Sequence, residues 1–301
     1  MYGLIFAGIL LAGASLVWIA DDSDDDIAQD TTDEPEVEDP EAEIGQNLLF
    51  DGSLMLQGTE GDDTLLADQD DSLLEPERID LLGGDDVAVI SHHIGVGVFG
   101  GEGDDSLRSL GQGTPLYGEE GDDTLSGVID NPMYGGSGND QITLQIDIEK
   151  GPGDTDLVGG EGDDTITVYT DVGIDEHGSE ITTFAIEGGE GEDSIELLLN
   201  LENSDIDVDR SGELVNRLGS IDDFDPEEDS LLIQFDAEEE AADREIETVL
   251  EQEERDGRFV STLTFTFLED DGIPDAREAE AVLTVISNAA FTLDDIQIVR
   301  V

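Results

Sequence analysis

An eight-residue motif that returns six times between residues 58 and 195 constrains this chain more than any other feature. It reads GTEGDDTL (58–65), GGEGDDSL (100–107), GEEGDDTL (118–125), GGSGNDQI (135–142), GGEGDDTI (159–166) and GGEGEDSI (188–195), with a degenerate seventh copy, LLGGDDVA (81–88). A short internal period predicts a solenoid, in which each unit leaves an apolar face for the next unit to cover. Within a unit the glycines permit backbone conformations with φ > 0 that a side chain opposes, so the loop can turn its carbonyl oxygens inward. The sixth-place aspartate adds a carboxylate, and the Leu or Ile two residues on points into the core. Hard, flexibly arranged oxygen donors, about six to eight of them, suit Ca²⁺, whereas Mg²⁺ demands a tighter octahedron. The units hold no His and the chain no Cys, which disfavours softer transition metals.

The motif resembles the hemolysin-type (RTX) calcium-binding nonapeptide, G-G-x-G-x-D-x-U-x. The resemblance implies a flattened, right-handed parallel β-roll with Ca²⁺ held between loops stacked one turn, about 18 residues, apart. It implies metal ligation by Asp63, Asp105, Asp123, Asp140, Asp164 and Asp193, and by Asp86 in the degenerate copy. Loop glycines would contribute with them: Gly58 and Gly61, Gly100 and Gly103, Gly118 and Gly121, Gly135 and Gly138, Gly159 and Gly162, and Gly188 and Gly191.

Spacing departs from that pattern. Unit starts at 58, 81, 100, 118, 135, 159 and 188 give steps of 23, 19, 18, 17, 24 and 29. These cluster near a whole turn rather than half of one. The intervening stretches SLGQGTPLY (109–117) and GVIDNPMY (127–134) keep apolar strand residues without the chelating loop. A roll with one calcium-loaded edge and one plain edge is therefore expected, the longer steps bulging from the plain edge. Two stacked loops should gather about four carboxylates, and a like-charged pair about 5 Å apart at an effective dielectric of about 20 costs roughly 3 kcal/mol.

Charge agrees with a cation requirement. Eighty Asp+Glu against 10 Lys+Arg leave a net −70, which excludes charge-driven binding to nucleic acid or an anionic membrane surface. Residues 1–20 carry no ionisable side chain. At 1.5 Å per residue a helix there would match a bilayer's hydrocarbon core of about 30 Å. It reads as an N-terminal apolar helix, either a transmembrane anchor or a cleaved secretory signal, so that the rest is extracellular or at the cell surface. Residues 21–47 form an acidic linker too poor in apolar groups to order itself.

Residues 48–200 are the expected β-roll and 201–301 a C-terminal β region that caps it. In the latter, SLLIQF (230–235), RFVSTLTFTF (258–267), AVLTVI (281–286) and IQIVRV (296–301) alternate like strands, and 245–250 leans the same way. Ile221-Asp222-Asp223-Phe224 followed by Asp229-Ser230-Leu231 resembles the segment after the repeats in RTX proteins such as the serralysin C-terminal region. Asp207 to Gly212 has only the front half of an EF-hand loop, with Leu218 where its bidentate Glu would stand, and Asp271 to Asp275 is too short for a site. His92, His93 and His177 lack the His-Glu-x-x-His context of a zinc protease. No nucleophile elbow, P-loop or dinucleotide fingerprint occurs.

The sequence thus predicts an all-β, non-enzymatic, calcium-binding protein, secreted or surface-tethered, with calcium coupled to folding and an adhesion or surface role. Two alternatives stay open: the non-catalytic module of an exported hydrolase or epimerase system, and a structural surface protein assembled by calcium. Its protein or glycan partner is unassigned.

Overall fold

The computed structural model describes residues 46–48, 55–67, 78–91, 95–146, 153–171, 183–200, 215–236, 245–267 and 279–301. The apolar stretch 1–20, the acidic stretch 21–45, all three histidines, and the fragments 207–212 and 271–275 lie outside them. Among the described residues no helix is long and apolar enough to cross a membrane.

The roll begins with β1 (Asn47–Leu48), β2 (Met55–Gln57), β3 (Thr64–Ala67), β4 (Arg78–Gly83), β5 (Val87–Ile90), β6 (Val98–Glu102), β7 (Ser106–Ser109) and β8 (Leu116–Glu120). It continues through β9 (Thr124–Val128), β10 (Met133–Ser137), β11 (Gln141–Ile146), β12 (Asp154–Glu161), β13 (Thr165–Asp171), β14 (Thr183–Glu190) and β15 (Ser194–Asn200). After these come β16 (Val215–Phe224), β17 (Ser230–Asp236), β18 (Ile246–Arg255), β19 (Arg258–Phe267), β20 (Ala279–Ser287) and β21 (Gln297–Arg300).

Odd and even strands part into two sheets. One runs β1-β3-β5-β7-β9-β11-β13-β15-β17-β21, the other β18-β19-β20-β16-β14-β12-β10-β8-β6-β4-β2. From β1 to β15 each strand pairs in parallel with the strand two places on, so every turn of chain visits both sheets. Each Gly–Asp loop joins an even strand to the odd strand after it, which sets all seven loops along one edge. The returns from odd to even strands form the other edge. The extra residues of the two longest steps fall in the chain between β11 and β12 and between β13 and β14, within stretches outside the described residues. Only β18 and β19 abandon the parallel pattern, as an antiparallel hairpin added beside β20.

Period-2 alternation fills the space between the sheets. Leu65, Ala88, Leu107, Leu125, Ile142, Ile166, Ile195 and Leu231 occupy one register line on the first sheet, all buried. Ile79, Val98, Leu116, Met133, Leu157, Ile186 and Ile221 oppose them from the second, also buried. Each such side chain contributes roughly 1.5–3 kcal/mol through burial, and no turn can bury its own. The stacking that closes the core is thereby the stacking that brings the acidic loops together. The strands anticipated after residue 229 are present as β17, β19, β20 and β21, and the 245–250 stretch lies in β18.

Candidate metal centre along one edge of the roll

The sixth-place aspartates form a continuous ladder up the loop edge. The amide N–H of Asp63 donates to Asp86 Oδ1 (2.6 Å), Asp86 to Asp105 (2.8 Å), Asp105 to Asp123 (2.8 Å) and Asp123 to Asp140 (2.8 Å). Asp140 continues to Asp164 (2.8 Å), Asp164 to Asp193 (3.0 Å) and Asp193 to Asp229 (3.0 Å). Below it, the amide of Gln46 donates to Asp63. Asp63, Asp86, Asp105, Asp123, Asp140, Asp164 and Asp193 are all buried, an unusual place for carboxylates.

The ladder employs only one oxygen of each. Oδ2 of Asp86, Asp105, Asp123, Asp140 and Asp164 is buried with no hydrogen-bond partner. Where it lies follows from the first glycine of each unit. A Cβ added to Gly118 would sit 2.0 Å from Asp123 Oδ2 and 2.6 Å from the carbonyl oxygen of Gly135, one turn on. Gly100, Gly135 and Gly159 stand likewise against their own aspartate and the next turn's glycine carbonyl. A carboxylate oxygen without a hydrogen-bond partner and a main-chain carbonyl oxygen thus lie beside the same glycine. At Gly58 the neighbours are Asp63 Oδ2 and Leu81 O, and at Gly188 Asp193 Oδ2. Asp63 differs, since its Oδ2 accepts from the Thr59 amide at 2.5 Å.

The fourth-place glycines serve close stacking. Gly103, Gly121, Gly138, Gly162 and Gly191 have positive φ, and a Cβ on any of them would strike the carbonyl of the fourth-place glycine one turn earlier at 2.0–2.3 Å. Gly61 begins that column, with Gly84 packed directly on it. The degenerate copy follows the same path, Leu82 taking φ 81° where the later units place glycine or Glu119 (φ 83°).

Burial raises the carboxyls from Asp86 to Asp193 above their ordinary 3.8. Asp86, Asp105, Asp123 and Asp164 reach about 7, and Asp140 and Asp193 about 6. Desolvation is the first cause in each, the amide hydrogen bond opposes it, and neighbouring carboxylates raise the values further. A bound cation would reverse the effect by favouring the ionised form.

A second ladder was not anticipated. The fifth-place residues Asp62, Asp85, Asp104, Asp122, Asn139 and Asp163 accept, through side-chain Oδ1, from the fifth-place amide of the following turn at 2.7–3.1 Å. It is exposed and runs opposite to the first. The signal in the sequence was an acid or amide at that place in every unit. The two rows point apart, and among the described residues no three acidic or imidazole side chains converge to hold an ion. The expected gathering of four carboxylates is thus corrected to one buried carboxylate per turn with main-chain carbonyls beside it.

The segment after the repeats closes the stack. Asp223 accepts from the amides of Gly188 and Gly189 (both 2.9 Å), occupying the place where another loop would lie. Asp229 ends the buried ladder by turning its Oδ2 to the Asp225 amide (2.7 Å). Phe224 is buried edge-on to Phe291, centroids 5.5 Å apart.

Oxygen-only donors, orphaned buried carboxylate oxygens and glycine faces open to them fit a hard divalent cation. The RTX calcium-binding nonapeptide repeat matches four stretches of the chain, residues 55–74, 116–133, 129–144 and 151–169. No curated protein and no solved structure matches it. The units at 81, 100 and 188 lie outside those stretches, yet their aspartates stand in the same ladder. Over those four stretches the chain carries the RTX nonapeptide repeat, and such repeats bind Ca²⁺.

Proposed function

We propose that Ca²⁺ lies along the loop edge, held by the carboxylates of Asp86, Asp105, Asp123, Asp140 and Asp164 together with carbonyls of the stacked glycines. Asp63 and Asp193, at the ends of the run, complete the outer cells. The observation that carries this is the row of five buried Oδ2 atoms without partners. Leaving such an oxygen unsatisfied costs about 1–3 kcal/mol, more for a charged group, and an ion shared between turns relieves several at once. Binding free energy then becomes folding free energy.

The protein reads as a non-enzymatic module with an adhesion or surface role, working outside the cell, where calcium at about 10⁻⁴–10⁻³ M suits sites of this kind. The commitment of the repeat acids to main-chain amides supports the non-enzymatic part. Residues 1–20 would tether the chain or direct its export, residues 21–47 would act as a spacer, 48–200 as the calcium-binding roll and 201–301 as its cap. Calorimetric titration of the full chain with calcium tests the site. Asp123→Ala should remove or weaken binding roughly tenfold or more, while Asp130→Ala, at the opposite edge, should leave it unchanged. Equal losses would place calcium at both edges and overturn the assignment.

A further inference from the structure

We infer that the outer face of the second sheet carries a binding groove for a neutral oligosaccharide, where β12, β14, β16, β20 and β19 lie side by side. The inference leans on the extracellular reading only for where such a ligand is met, because the groove shares no residue with the Gly–Asp loops. Its volume is about 650 Å³, within the range of about 300–1,000 Å³ common for ligand sites.

The shape comes from small residues in register. Asp156, Ala185, Ser220, Thr284 and Thr262 form one outward row across the five strands. At about 4.8 Å between strands that row is about 19 Å long, the scale of a short oligosaccharide. Gly219 belongs to the lining, and β14 packs so closely there that a Cβ would meet the Phe184 carbonyl at 2.3 Å. The register shift between Arg217 and Gly219 breaks the row's regularity at β16, and Arg217 lines the groove there.

The chemistry is that of a hydroxyl-rich partner. Ser220, Thr262 and Thr284 both donate and accept, Asp154 and Asp156 accept, and Arg217 offers a fork of donors. Among the described residues Arg217 has no ion-pair partner, although acids outnumber bases 80 to 10 in this chain. At one end the stacked rings of Phe99, Tyr117 and Tyr134, with centroids 4.4 and 5.0 Å apart, supply an apolar rim. Tyr134 pairs with Val158, two residues from Asp156 on the same face.

Charge sorts the candidates. A net −70 repels a polyanion. The shortage of apolar anchors, Phe184 being buried, opposes a peptide. A neutral chain of hydroxyls satisfies both constraints.

The test is calorimetry on the full chain in saturating calcium, with neutral hexasaccharides of glucose, mannose, galactose and xylose, plus hexaguluronate and hexalysine. At least one neutral sugar should bind, and Arg217→Ala and Asp156→Ala should each weaken it roughly tenfold. Asp294→Ala, exposed and remote from the groove, should not. Failure of all four neutral sugars, equal affinity in both groove variants, or preference for either charged probe would overturn the proposal. A chain that binds calcium but no sugar loses the groove alone. One that binds sugar without taking up calcium keeps the groove and loses the calcium site.

Discussion

Asn131 shows what a neutral side chain does in the position that the aspartates occupy. At the plain edge its Oδ1 accepts from the Thr114 amide at 2.9 Å, as Asp123 does from Asp105, and its Nδ2 donates to the Gly111 carbonyl at 2.8 Å. An ionised aspartate has no such hydrogen, so its second oxygen, set beside the same glycine as a carbonyl, has nothing to donate to it. Asp123→Asn should therefore abolish its calcium cell while raising metal-free stability by about 1–3 kcal/mol. Asp123→Ala, which also breaks the ladder, should lower it. Thermal melts in chelator decide; an Asn variant less stable than the parent would refute the oxygen–oxygen account. The sixth-place aspartates were legible because a fixed residue recurred among glycines. Asn131 was not, since it stands alone in its edge and carries no repeat.

Between elements, stacking distance governs. A turn of this roll sits so close to its neighbour that a Cβ on one fourth-place glycine would collide with the carbonyl of the one before it. Gly121→Ala would bring Cβ to 2.0 Å from Gly103 O in a conformation of φ 137°. Separating those turns sacrifices ladder and core together, so the loss should reach about 3–5 kcal/mol, at the upper end for single substitutions. Gly257→Ala is the control: φ is 82° in the β18–β19 turn, but nothing lies within 4 Å, and the cost should be only about 1–2 kcal/mol from backbone preference. Denaturant unfolding in calcium measures both, and equal effects would mean that close stacking is not what those glycines serve. Step lengths near a whole turn made the two edges readable before any coordinates. The passage of the parallel pattern through β16 and β17 was less so, because there Asp223 and Asp229 continue the edge without the glycines that mark it. The groove was unreadable for a similar reason: its row is contiguous only across strands, and its residues are unremarkable along the chain.

At the scale of the whole molecule, protons and calcium compete for the same buried oxygens, and pH should reveal it. In the chelated chain Asp86, Asp105, Asp123 and Asp164 titrate at about 7, and Asp140 and Asp193 at about 6. Unfolded, all six return to ordinary values near 4. A folded value above the unfolded one means that the native state binds the extra protons, so stability is full below the unfolded value and is lost as pH rises through the folded ones. The chelated chain should melt higher at about pH 5 than at about pH 8. Calcium inverts the sign. It binds the ionised carboxylates, so its affinity falls as protons return, and in millimolar calcium the chain should melt lower at pH 5 than at pH 8. Monovalent salt at matched ionic strength screens the net charge, with a Debye length of about 3 Å at 1 M, but cannot join a carboxylate to a carbonyl on the next turn. It should leave the chelated slope's sign unchanged. Circular dichroism melts of the full chain at four pH values, with chelator, calcium or sodium chloride, contain the whole test. A chelated chain that loses stability on acidification, or a calcium-loaded chain with the same slope as the chelated one, would show that the buried ladder is not where the ion binds.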